Sequence, residues 1–253
     1  MKTTGSCSML LLFAALLAPP ARALPIDFER TGLAWSSAEV SDAGDGALRT
    51  VLDKAGRRDA LGCRALCGRI ERVWLQLLAV LPPAQSSGLQ LHVVRLDDED
   101  AFAVPSGDVL LSENFIQARE LDNAQLAFVL AHELSHVLLQ HERQTLTAAL
   151  SLLPRAVPRS VQDVYVELEF NHRLLKALEP VYQQAEFEAD ETGLQLAALA
   201  GFSPDAQLEF LVGQAHEPDR ELIVRTHGSA AARLAAARAT LPLARRLYES
   251  VSP

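Results

Sequence analysis

The chain is short of basic residues, aromatics, cysteine and long apolar runs, and each shortage removes a class of protein. Lysine and arginine number 23 against 32 acidic residues, for a formal charge of −9. No Lys/Arg cluster offers a footprint for phosphates, so nucleic acid is excluded as a partner. Aromatics make up 6% while alanine and leucine abound, which favours helix over sheet. Beyond the first 23 residues no segment is long and apolar enough to span a bilayer; 146–153 is cut short by Pro154 and Pro158. Of three cysteines, Cys7 lies at the very start, so only Cys63 and Cys67 remain, too few for a cysteine-built metal site. An oxidising compartment would favour a disulfide between them. Helical i,i+4 spacing would hold their Cβ atoms about 6 Å apart, beyond ordinary disulfide reach. Both outcomes stay open.

What is present begins with a leader. Lys2, an apolar run over 9–18 and Ala21-Arg22-Ala23 have the order of a secretory signal peptide, and Pro19-Pro20 stops the run short of a membrane span. Cys7 precedes that run, so it is not placed for lipid attachment. Residues 1–23 are therefore expected to be removed, leaving an exported, soluble product. Residues 24–45 read as a poorly ordered lead-in, 46–85 as a helical cover and 86–253 as the rest of a single domain.

The informative stretch is His132-Glu133-Leu134-Ser135-His136. Residues four apart share a helix face, so both imidazoles can aim a nitrogen at one ion. Glu133 stands one step round, within reach of a water on that ion without ligating it. The enclosing helix, roughly 123–140, is apolar nearly all round and opens with Asp122 and Gln125 in capping-box spacing. A helix so apolar is buried, and buried histidines and glutamate require partners or a metal.

A third ligand is offered by Glu186-Phe-Glu-Ala-Asp190-Glu-Thr-Gly193, where 186, 190 and 193 share a face. Glu186 would complete a His-His-Glu zinc site with a fourth position open to water. Asp190 would orient one of the imidazoles, and Gly193 would let the two helices approach closely. Glu188 and Glu191 read as the solvated side of the same helix. Around these lie helical stripes over 46–81, a strand at 89–96, two short extended pieces at 101–104 and 108–111, and a short helix to about 119. A proline-interrupted connection is expected over 143–160, then helices at 164–178, 181–200, 204–212 and 229–248, the last divisible at Pro242. The sum is a mainly helical α+β fold, with about three strands packed on the motif helix and the glutamate helix crossing it. His92 reads as a packing residue.

Four blocks occur in order: Asp100-Ala-Phe-Ala-Val-Pro-Ser-Gly107, the HELSH stretch followed by Val-Leu-Leu-Gln-His141, Glu-x-x-Ala-Asp-x-x-Gly, and Arg225-Thr-His227 with Arg233. Together they resemble the HtpX and CAAX-prenyl-protease family of gluzincin metallopeptidases, closest to its soluble periplasmic members. The resemblance covers about residues 66–240. It implies zinc on His132, His136 and Glu186, Glu133 as catalytic base, Asp190 behind a ligand, and His227 approaching the metal from the opposite side. His141 falls in a matching block and reads as structural. The chain departs from the pattern at Asp100, usually asparagine, at Ser106-Gly107, usually a glycine pair, and at Gly228, usually proline.

The resemblance implies a zinc endopeptidase acting on unfolded or misassembled exported proteins in the bacterial envelope. His227 would either support the oxyanion or block the metal. Substrate would pair with an edge strand among the extended pieces, so a proline at Val109 is expected to change peptide affinity. The alternative is a zinc-stabilised, chaperone-like binding protein with little or no proteolysis; the intact Glu133 argues for catalysis, since a structural metal needs no base. Oligomeric state is not legible.

Overall fold

A computed structural model describes residues 26, 28, 30–55, 64–95, 101–155, 158–215 and 229–252. The leader and His227 lie outside the described residues.

Helix α5 (Asn123–Leu138) is the axis of the domain. Its start follows from Asp122, whose carboxylate accepts from the Ala124 and Gln125 amides while the Gln125 side chain accepts from the Asp122 amide. This is the capping box read from the sequence. Leu126, Ala127, Leu130, Ala131 and Leu134 are fully buried, so the helix is covered on all sides. α2 (Arg64–Ala79) covers one flank with Ile70, Val73, Trp74 and Leu77, and α4 (Glu113–Ala118) adds Phe115 and Ile116.

The sheet has three strands in the order β1-β3-β2. β1 (Gln90–Val94) runs parallel to β3 (Asp108–Ser112), and β2 (Ala101–Ala103) runs antiparallel to it. The turn joining β2 to β3 passes through Gly107 at φ 97°, a conformation that favours glycine. The expected three-stranded sheet is present, with one correction. β3, which carries Val109, is the buried central strand rather than an edge; a proline there would break the ladder and report nothing about substrate. The open edge beside α5 is β2. Val104 N–H donates to Asp108 O, so the antiparallel alternation turns the amides of Ala101 and Ala103 away from β3.

The second large helix, α8 (His172–Leu199), crosses α5. It runs unbroken past Pro180, where the sequence suggested two helices. α7 (Val161–Phe170) precedes it, separated at Asn171, whose side chain caps α8. α9 (Pro204–Ala215) and α10 (Ala230–Val251) close the domain, α10 packing on α8 and continuing through Pro242. α3 (Pro83–Ser86) is a single turn.

Two stretches depart from expectation. Residues 143–160 are not a mere connection: α6 (His141–Leu152) fills most of them, and Pro154 follows its end rather than interrupting it. The 24–45 lead-in is likewise structured from Arg30 onward. Arg143 on α6 donates to Trp35 O and Ser37 Oγ, and the Ala34 amide donates to Thr147 Oγ1. Residues 30–36 thus form a strap along α6. Ser36 and Glu39 then exchange reciprocal bonds that open α1 (Ser37–Ala55), nine residues before the expected 46. Cys67 is disulfide-bonded, with its partner outside the described residues. Among the described residues no helix is long and apolar enough to cross a membrane.

Candidate metal centre

The crossing of α5 and α8 is set by Gly193. A β-carbon placed there would stand 2.9 Å from the His132 amide nitrogen and 3.1 Å from its Cα. Backbone therefore meets backbone at His132, which brings the acidic face of α8 against the two imidazoles, as the 186-190-193 spacing predicted.

His132, His136 and Glu186 converge. The Nε2 atoms of the two histidines are 3.1 Å apart, and Glu186 stands 3.6 Å from one and 3.5 Å from the other. With metal–nitrogen and metal–oxygen bonds near 2.0–2.1 Å, the edges of a tetrahedron are about 3.3–3.4 Å. Glu186 meets the two rings through different oxygens, Oε2 towards His132 and Oε1 towards His136, so its carboxylate faces both, and one ligand atom from each of the three residues lies within 4.8 Å of the others. His132 and Glu186 are buried, while the His136 side chain is 23% exposed, so the opening lies on the His136 side. Glu133 follows His132 on α5 and is half-buried.

A carboxylate stands behind His132. Asp190 Oδ1 lies 3.0 Å from His132 Nδ1. Arg233 on α10 holds that aspartate through two bonds of 2.7 Å and reaches Glu186 with a third amine at 3.2 Å. Burial alone would push the His132 pKa down, but Asp190 and Glu186 outweigh it and leave it raised. Burial would raise Asp190, yet the bonds from Arg233 and His132 hold its carboxyl below the usual range. His136 is pushed well below the ordinary imidazole range, first by burial and then by His132. It is held neutral, as a ligand must be.

Sequence reasoning gave Arg233 no role, and its link to Asp190 spans 43 residues. His141 is buried, as a structural residue would be, with Nδ1 3.0 Å from His136 Nδ1 and Nε2 3.5 Å from Oε2 of Glu188, which is only part-exposed. Burial pushes the His141 pKa down to about 4. Glu191 is exposed, as expected. His92 pairs with Asp108 at 2.6 Å, tying β1 to β3 away from these groups.

A buried helix pair that presents two imidazoles and a carboxylate, with a glutamate beside them, defines the metallopeptidase class of site. Residues 68–241 match Peptidase family M48, and the chain belongs to that family. It is 30% identical over 164 residues to the mitochondrial metalloendopeptidase OMA1 of Schizosaccharomyces pombe, covering 63% of this chain and 47% of that protein. It is 32% identical over 163 residues to the Beta-barrel assembly-enhancing protease of Escherichia coli strain K12, covering 58% of this chain and 33% of that protein. The chain thus spans between a third and a half of the length of these relatives.

Proposed function

We propose that the chain is a zinc-dependent endopeptidase in which His132, His136 and Glu186 hold one zinc ion and Glu133 is the general base. The observation that carries this reading is the convergence of those three side chains, two from the helix that also carries Glu133 and one from α8, with Nε2 atoms 3.1 Å apart and the Glu186 carboxylate facing both. Zinc held there would lower the pKa of a water towards about 7 and polarise the scissile carbonyl. Glu133 would take the water's proton and return it to the leaving amine. Asp190 and Arg233 would hold His132 and Glu186 in place.

An extended peptide would lie along β2, bonding to the outward amides of Ala101 and Ala103. Such main-chain binding suits unfolded or misassembled polypeptides. A relative named for enhancing β-barrel assembly supports substrates among exported envelope proteins, and a periplasmic setting belongs to the same reading.

The test is cleavage of an unfolded reporter protein by the zinc-loaded chain beside its Glu133→Gln variant. The variant is expected to keep zinc and lose roughly 10²- to 10⁴-fold in rate. Equal rates would remove Glu133 from the mechanism. If neither protein cuts while both hold zinc, binding without proteolysis becomes the better reading.

A further inference from the structure

The two imidazoles of the site are supported differently. His132 faces a carboxylate directly, and Arg233 pins that carboxylate. His136 faces another imidazole: His141, 3.0 Å away between Nδ1 atoms, with ring planes at 77°. We propose that His141 is a positioning residue for His136, fixing its tautomer and aim, and that Glu188 sets the tautomer of His141 in turn.

The inference rests on the reading that His136 offers Nε2 to a metal. An imidazole with that lone pair committed carries its proton on Nδ1. The Nδ1–H then donates to His141 Nδ1, which must be the unprotonated nitrogen. The proton of His141 consequently sits on Nε2, which points to Glu188 Oε2 at 3.5 Å. Glu188 is itself held, accepting from Gln184 at 3.0 Å and from Arg30 of the strap at 3.1 Å. Each N–H in the series points towards the carboxylate, so one arrangement satisfies all of them.

The backbone is shaped for this contact. His141 lies five residues beyond His136, and on a continuous helix that spacing would put it on a different face. Gln140 adopts a left-handed conformation, φ 58° and ψ 39°, that ends α5 and restarts the chain as α6. The turn carries His141 back beside His136, where it is 5% exposed between α5 and α8. An apolar side chain would fill that space, but it would leave the His136 N–H without an acceptor.

The experiment measures Zn²⁺ affinity by competition with a chromophoric chelator, and the absorption bands of the Co²⁺-substituted protein. It compares the parent chain with His141→Leu, His141→Asn and Glu188→Gln, and records metal-free thermal unfolding of each. His141→Leu is expected to weaken Zn²⁺ binding roughly 10- to 100-fold and to shift the Co²⁺ bands. His141→Asn keeps an acceptor near the former Nδ1 and should recover most of the affinity; Glu188→Gln should lose less than the leucine variant. Parental affinity and spectrum in both His141 variants would overturn the proposal and leave His141 as packing. Should His141→Leu fail to fold, His141→Gln decides, because its amide reaches the former Nε2 and leaves no acceptor at Nδ1; a parental affinity and spectrum there overturn the proposal. A parent chain that binds no Zn²⁺ would instead defeat the metal site itself, and this proposal with it.

Discussion

Arg233 holds two carboxylates at once, one a proposed ligand and the other the support of a proposed ligand. Removing it as Arg233→Met would leave Asp190 and Glu186 buried against each other without a cation. Breaking a buried pair in this way costs about 3–5 kcal/mol. Urea unfolding of the metal-free protein should show that loss, and saturating zinc should restore part of it. A second residue carries a pH signature. Burial pushes the Glu142 carboxyl above its ordinary range, although the Tyr165 hydroxyl donates to it. With the folded pKa above the unfolded one, the folded state binds the proton more tightly. The contribution is therefore present below the unfolded pKa and lost as pH rises through the folded one. Glu142→Gln is expected to stabilise the protein at pH 7 and to lose that advantage near pH 4 in paired denaturation curves. At this scale spacing made His132, Glu133, His136, Glu186 and Asp190 legible, because their partners recur at helical intervals. Arg233 meets Asp190 across 43 residues and His141 meets Glu188 across 47, while His141 reaches His136 only because α5 ends at Gln140; no local pattern encodes these contacts.

Among the elements, the α5–α8 crossing is the tightest fit. Gly193→Ala would put a methyl against the His132 backbone, and the helices must separate to admit it. A loss of about 1–3 kcal/mol is expected. Zinc affinity should fall with it, because Glu186 moves away with α8; a chelator titration beside a melting curve checks both. The edge strand gives a separate test. Ala103→Pro removes an outward N–H without touching the ladder to β3. It should raise KM for an unfolded substrate several-fold while leaving zinc content and folding unchanged. Helices α2, α4 and α5 were legible from their stripes and caps. α8 was read as two helices either side of Pro180, and for α10 the sequence left open whether Pro242 divides it. Each proline is exposed, and the residue four back whose carbonyl it orphans, Lys176 or Arg238, is exposed too. Water can take the bond, so the helix continues. α6 was hidden for the opposite reason: prolines past its end were read as interruptions.

Across the whole molecule, the proposed zinc would join α5 to α8, helices that begin nearly fifty residues apart. A ligand at about 100 times its Kd stabilises the folded state by about 2.7 kcal/mol. Chelation should accordingly lower Tm by several degrees in a domain of this size. An unchanged melting curve would mean that the ion is not held by the folded state. The fold class was readable because the apolar motif helix had to be central. The strap over α6 was not, since Arg143 and Trp35 meet across 108 residues.

The β2 edge, Ala101-Phe102-Ala103, is only three residues long, and Phe102 packs inward with Leu48, Val94 and Leu110. Ala101 and Ala103 pack towards the main core, so the edge presents chiefly main chain to whatever lies along it. An aligned set of cleavage sites from an unfolded proteome should be nearly flat in sequence preference. Where the proposed endopeptidase cuts would then follow which stretches of a substrate are unfolded long enough to lie extended, so the same polypeptide would be a substrate before folding and resistant afterwards.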